Sequence, residues 1–228
     1  MNQKKRKGVV FDLDGTLLDS YHEGARRFFA VADSLGLPIS EDIVIRMKEI
    51  WGLPGGAIVQ TCWPEISVAT FMDAWETFDS NHPILLFSGI QELIRQLSCH
   101  MVLSILTGRG RSTHFQLQCN NIEHFFSFVC TLDDSPVAKP HTKSIEPLIR
   151  QYACCDIAPE HLVFVGDSIH SDYNLARALN MDFIAITWGQ NTRDDFLKAG
   201  LGEQYIVDSR EDLLRLISNF TADQVLER

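Results

Sequence analysis

Apolar residues fall along this chain in two rhythms. Short runs with little polar alternation, Val9 to Phe11, Met101 to Leu106, Phe126 to Leu132, His161 to Val165, Phe183 to Thr187 and Tyr205 to Val207, predict strands buried on both faces of a parallel sheet. Between the later runs apolar positions recur at helical spacing: Ile90, Leu93, Ile94 and Leu97, then Ile145, Leu148, Ile149 and Tyr152, then Leu175, Ala176 and Leu179. Further helices are expected from Ser112 to Asn120, Arg193 to Ala199 and Arg210 to Ser218. Ser88, with Gln91 three residues on, predicts a side-chain cap for the helix that follows it, and Pro140 suits a helix's first turn. Strand and helix alternating in this way imply an α/β fold, a doubly wound parallel sheet.

Residues 20–83 interrupt the alternation. Ala25, Phe28, Phe29, Ala32 and Leu35 form one helical stripe, Ile43, Val44 and Met47 a second, and Val68, Phe71, Met72, Trp75 and Phe78 a third, with no strand among them. Such stripes are read as core rather than ligand contacts. Trp51-Gly52-Leu53-Pro54-Gly55-Gly56 predicts a loop or hinge. The block therefore reads as an all-helical insertion, residues 20–83, in an α/β core made of residues 1–19 and 84–228.

Composition narrows the function. The formal net charge of −10 argues against a nucleic-acid partner, yet one bound cation reverses the local sign and admits a small anionic substrate. No apolar run approaches the roughly 20 residues that cross a bilayer. Lys4-Lys5-Arg6-Lys7 leads straight into the first strand and is read as a solvated lead-in, neither signal peptide nor nucleic-acid arm. Six cysteines without C-x-x-C spacing argue against structural zinc and point to buried thiols in a reducing cytoplasm. No membrane partner is expected, and nothing in the pattern specifies an oligomeric state.

The polar residues at the strand ends carry the chemistry. Asp12 and Asp14 follow the first strand two residues apart, with Gly15 permitting the turn. Thr107-Gly108-Arg109 follows the second strand, Lys139 lies beyond the third, and Gly166-Asp167-Ser168 with Asp172 follows the fourth. Open α/β sheets keep their sites at these carboxyl ends. Asp12, Asp14 and Asp167 gathered together would repel one another without a cation. An all-oxygen donor set with room for water suits Mg2+ rather than zinc.

Phe11-Asp12-Leu13-Asp14-Gly15-Thr16, continued by Leu17-Leu18-Asp19-Ser20, resembles the opening motif of the haloacid dehalogenase-like hydrolases. Thr107, Lys139 and Asp167 follow in the order that family uses, and Thr187-Trp188-Gly189 and Asp212-Leu213-Leu214 resemble its phosphoglycolate-phosphatase-like branch. The resemblance implies a Rossmann-like core with a helical cap over the site. It also implies a magnesium-dependent phosphatase of a small phosphorylated metabolite, working through an aspartyl-phosphate on Asp12. Asp14 is then the general acid and base, its pKa raised in the substrate complex. Thr107 and the main-chain N–H of Gly108 hold phosphoryl oxygens, and Lys139 balances charge. Asp12 and Asp167 bind the metal through side chains and Asp14 through its carbonyl, with Asp172 supporting them from behind.

This chain departs from the family pattern in places. His141-Thr142 stands where relatives often carry a second proline and an acid, and the gap from Asp167 to Asp172 is one residue longer than the commonest form. Arg109 either touches an anionic substrate or makes a surface ion pair. The loop after Gly52 has no basic residue, so recognition of a second anionic group would fall to Arg26, Arg27, Arg46 or Lys48. His22 and His170 are read as incidental. A phosphomutase using the same aspartyl-phosphate is the alternative reading, ahead of a dehalogenase or a catalytically silent binding protein.

Overall fold

In the computed structural model, which describes residues 8–50, 53, 55–135 and 137–221, six strands pair in parallel in the order β3-β2-β1-β4-β5-β6. They are β1 (Gly8–Phe11), β2 (Val102–Leu106), β3 (Phe128–Cys130), β4 (Leu162–Gly166), β5 (Asp182–Ile186) and β6 (Ile206–Val207). Helices α1 (Ser20–Ser34), α2 (Glu41–Ile50), α3 (Gly55–Cys62) and α4 (Val68–Asp79) separate β1 from the rest. Six more, α5 (Ile90–Ser98), α6 (Ser112–Cys119), α7 (Glu146–Ala153), α8 (Asn174–Ala178), α9 (Arg193–Lys198) and α10 (Arg210–Thr221), alternate with the later strands. The chain builds outward from β1 through β2 to β3, then returns to lay β4 on the other side of β1. Strand order therefore reverses at β1, where such sheets open a crevice.

Register and the alternation of side chains fix what each face buries. Phe11 stands opposite Ile105 on one side and Val165 on the other. With Val9, Leu103, Val163 and Ile184 these side chains pack against Ile90 and Ile94 of α5 and Leu213 and Ile217 of α10. Val10, Phe164, Phe183 and Ala185 point the opposite way, into a cluster with Leu148 and Tyr152 of α7 and Phe196 of α9. Burying a side chain of this kind fully contributes roughly 1.5–3 kcal/mol. Helices α1 to α4 share a third apolar cluster, in which the Phe28 ring lies 4.6 Å from Phe71 and 5.1 Å from Trp75.

Several local expectations are corrected. Trp51, Gly52 and Pro54 of the expected hinge, like Lys4 to Lys7, lie outside the described residues, but Gly55 and Gly56 open helix α3 rather than continuing a loop. A methyl group on Gly55 would meet the Met72 sulfur at 3.2 Å and one on Gly56 would meet Val68 at 3.1 Å. Their smallness serves close packing of α3 on α4. Helix α5 is capped not by Ser88 but by Gly89, in the left-handed conformation at φ 83°. The proline in a first helical turn is Pro147 of α7, while Pro140 sits in a turn ahead of it after a cis Lys139-Pro140 bond. Strand β3 is shorter than its apolar run, and Leu132 falls in a 3-10 turn (Leu132–Asp134) held by a Thr131–Asp134 capping box. All six cysteines are free, but only Cys62 and Cys130 are buried, while Cys99, Cys119 and Cys154 are exposed.

Candidate active site

Asp12 follows the last residue of β1, its N–H donating to the Val165 carbonyl at 2.9 Å, so its side chain emerges buried at the crevice. Lys139 Nζ donates to Asp12 Oδ1 at 2.5 Å and to Asp172 Oδ1 at 2.7 Å. Thr16 Oγ1 lies within hydrogen-bonding distance of Asp12 Oδ2 at 3.2 Å and of Asp167 Oδ1 at 3.3 Å. Asp167 Oδ2 accepts the N–H of Gln190 at 2.7 Å. Two glycines clear the space: a methyl group on either Gly15 or Gly189 would lie 2.2 Å from Asp167 Oδ2, and Gly15 also has φ 77°. Thr16 and Gly189 entered the sequence reading only as members of motifs and Gln190 not at all: Gln190 acts through its main-chain N–H, Gly189 through the side chain it lacks, and the Thr16 hydroxyl gains its role only once Asp12 and Asp167 are brought together.

The longer gap to Asp172 has a structural answer. The extra residue is taken up by a single π-helical turn, Ile169–Tyr173, closed where the Tyr173 N–H donates to the Ser168 carbonyl at 3.0 Å. Asp172 is thereby returned, fully buried, to accept the Ser168 N–H at 3.1 Å and the Ser171 hydroxyl at 3.1 Å beside Lys139. Thr107 is also buried; its N–H donates to the Cys130 carbonyl at 3.0 Å and its hydroxyl accepts the Arg109 N–H at 3.0 Å. Asp12, Asp14, Thr107, Gly108, Lys139 and Asp167 all line one cavity of about 680 Å³, while Asp172 stands behind them.

Charge in this niche is unbalanced. Asp12, Asp167 and Asp172 each offer an oxygen within 4.8 Å of the others, with one lysine among them. Burial, opposed by Lys139 and reinforced by Asp172, pushes the Asp12 carboxyl up to about 7. Burial together with the charges of Asp12 and Asp172 raises Asp167 well above its ordinary value. Burial alone would lower Lys139, but the two acids hold it above an ordinary lysine. Oxygen donors short of positive charge are what a hard divalent cation fits.

Asp14 has a different partner. Arg109, expected on the surface or against the substrate, is buried and clamps Asp14 with Nε 3.1 Å from Oδ2 and a terminal nitrogen 2.5 Å from Oδ1. Its other terminal nitrogen pairs with the fully buried Asp79 at the end of α4. Arg27 of α1 pairs with Asp79 too, at 3.2 Å, and donates to the carbonyls of His82 and Pro83 at 2.7 Å each. Burial pushes the Asp14 carboxyl up, but the charge and hydrogen bonds of Arg109, helped by Ser20, outweigh it and hold Asp14 below its ordinary value. Of the cations considered for a second anionic group, Arg27 serves this network, Arg26 pairs with Glu23, and Arg46 donates to the Thr61 carbonyl at 3.1 Å. None of these three lines the cavity, and the side chains of Lys48 and His22 lie outside the described residues. His170, read as incidental, does line it.

The family model of haloacid dehalogenase-like hydrolases matches residues 9–186 of this chain. A pyrophosphatase, PpaX, of Bacillus mycoides is 30% identical over 229 residues, spanning 92% of this chain and 96% of its own length. A phosphoglycolate phosphatase of Vibrio vulnificus is 27% identical, spanning 95% and 98%. Among solved structures, a haloacid dehalogenase-like family hydrolase of Streptococcus pneumoniae superposes with a TM-score of 0.74 at 24% identity, covering 94% of this chain and all of the other. With the family model spanning five of the six strands and Asp12, Asp14, Asp167 and Asp172, the chain belongs to the haloacid dehalogenase-like hydrolases.

Proposed function

We propose that this chain hydrolyses a small phosphorylated substrate through an aspartyl-phosphate on Asp12, with residues 20–83 as a helical cap over a core of residues 1–19 and 84–228, in the cytoplasm. The observation that carries it is Asp12 itself, buried at the strand end with Lys139 at 2.5 Å and open to a cavity. The Thr107 hydroxyl and Gly108 N–H bind phosphoryl oxygens, and Lys139 shares its charge between them and Asp12. An Asp12 oxygen forms a bond to phosphorus as the ester bond breaks, and Asp14 gives its proton to the leaving oxygen. Asp14 then takes a proton from a water whose oxygen attacks phosphorus, breaking the bond to Asp12 and releasing inorganic phosphate. Mg2+, held by Asp12, Asp167 and the Asp14 carbonyl, supplies positive charge against the phosphoryl oxygens when bound.

Asp14 is ionised beside Arg109 in this state, so its acid role requires that the pair part when substrate binds. Replacing Asp12 by Asn should lower turnover of p-nitrophenyl phosphate in Mg2+ more than about a hundredfold, or about 3 kcal/mol of barrier. Activity above about one per cent refutes the nucleophile. Isomerisation of a sugar phosphate without phosphate release replaces the phosphatase with a phosphomutase.

A further inference from the structure

The cavity that holds Asp12 continues well past it. Beside the strand-end residues its described wall contains Leu53, Val68 and Met72 from the helical block and Leu132 from the turn after β3. Leu53 and Leu132 are 47% and 41% exposed, one from the helical block and one from the α/β core. Apolar side chains left in water around a concave surface mark a place for an apolar group.

Charge on this wall is mostly negative. Asp73, Glu76 and Asp133 line it, with the His170 imidazole, and the described lysine and arginine of the lining are Lys139 and Arg111. Arg111 is already engaged: its guanidinium donates to Asp73 Oδ1 at 2.7 Å and to Thr77 Oγ1 at 3.3 Å. Glu76 is fixed as well, accepting the N–H groups of Gly110 at 3.3 Å and Ser112 at 3.0 Å. A carboxylate or second phosphate entering here would meet three acids and, among the described residues, one arginine that is already paired, in a cleft that concentrates their field. Selection works as much by such repulsion as by contact.

We infer that the preferred substrate is a phosphomonoester whose leaving group is apolar and carries no further negative charge, and that Asp73, by occupying Arg111, sets this preference. The inference rests on the phosphatase reading above. It separates this chain from the relatives named as phosphoglycolate phosphatase and pyrophosphatase, whose named substrates each place a second anion beyond the scissile phosphate.

The full chain in Mg2+ is assayed for phosphate release from butyl phosphate, phosphocholine, phosphoglycolate and pyrophosphate. Expected kcat/KM values for the better of the first two exceed those for the last two at least tenfold. Phosphocholine turned over faster than butyl phosphate overturns the apolar leaving group in favour of a cationic one. Phosphoglycolate or pyrophosphate turned over as well as either overturns the inference while leaving the phosphatase intact. Phosphate release from none of the four overturns both. In Asp73→Asn, freed Arg111 should raise the ratio of phosphoglycolate to butyl phosphate kcat/KM at least threefold, mainly through the KM for phosphoglycolate. An unchanged ratio removes Asp73 from the explanation and overturns its part in the inference.

Discussion

At one end of the cavity Asp12, Asp167 and Asp172 are buried within 4.8 Å of each other, and hydrogen bonds from Lys139, Thr16, Ser168 or Gln190 reach each of them. At the other end Leu53, Leu132, Asp73 and Asp133 stand exposed, and Asp73 meets Arg111 near open solvent. The first arrangement tolerates little change, because a buried charge that loses its partner costs several kcal/mol. The second tolerates much, because exposed pairs contribute about 0–1 kcal/mol and exposed apolar groups little. The proposed chemistry thus sits where replacement is expensive and the proposed selectivity where it is cheap. Relatives at 27% and 30% identity that carry different substrate names fit that division.

The largest test of this contrast is Lys139→Met set beside Met72→Ala. Losing Lys139 leaves Asp12 and Asp172 without their shared cation and removes charge from the proposed phosphoryl site. Expected is a fall in kcat of about a thousandfold, roughly 4 kcal/mol, with the folded fraction checked by circular dichroism. Met72→Ala at the open end should change kcat/KM by less than about tenfold and leave kcat nearly untouched. Comparable losses from the two substitutions would erase the distinction between the ends.

The same contrast explains how far the sequence could be read. Asp12, Thr107 and Asp167 each stand one or two residues past an apolar run, so strand ends and fixed spacing were enough to bring them to one crevice. The six strands were equally visible, since burial on both faces leaves an unbroken apolar signature. Arg109, Asp79 and Arg27 escaped because nothing in their own neighbourhoods marks them as buried; only the docking of α4 onto the loop before α6 joins them across 30 to 82 residues. Leu132 escaped for the opposite reason. Its run reads as strand, but the Thr131 cap ends β3 first and turns the side chain outward.

An intermediate effect is expected where the two ends are joined. Asp79 is fully buried and held by both Arg109 and Arg27, while Arg109 also reaches Asp14, so one network ties α4 to the motif after β1. Arg109→Met should destabilise the fold by about 3 kcal/mol, since it strips a buried carboxylate of one cation. Urea midpoints measure this at constant m. Adding Asp79→Asn should recover at least about a third of the loss, because the two residues are in contact and their effects are not additive. A surface-sized effect, under about 0.5 kcal/mol, would show that the ends are not coupled through this pair.

The smallest effect distinguishes a site strained by its own acids from one merely crowded. Asp167 has its pKa raised by burial and by Asp12 and Asp172, so near neutral pH its ionised form opposes folding when no cation is bound. The sign follows from the raised value. The cost is absent below the unfolded pKa of about 3.9, grows as pH rises above it toward the folded value, and is then fully present. In chelator at pH 7.5, Asp167→Asn should therefore melt above the wild type, by about 3 °C for about 1 kcal/mol in a chain of this size, with the gap closing as pH approaches 4. Adding Mg2+ should reverse the order, because the wild type gains binding free energy that the variant has lost a ligand to capture. Melting curves that keep the same order in chelator and in Mg2+ would mean that Asp167 holds no cation and that the buried end balances its charge by protonation.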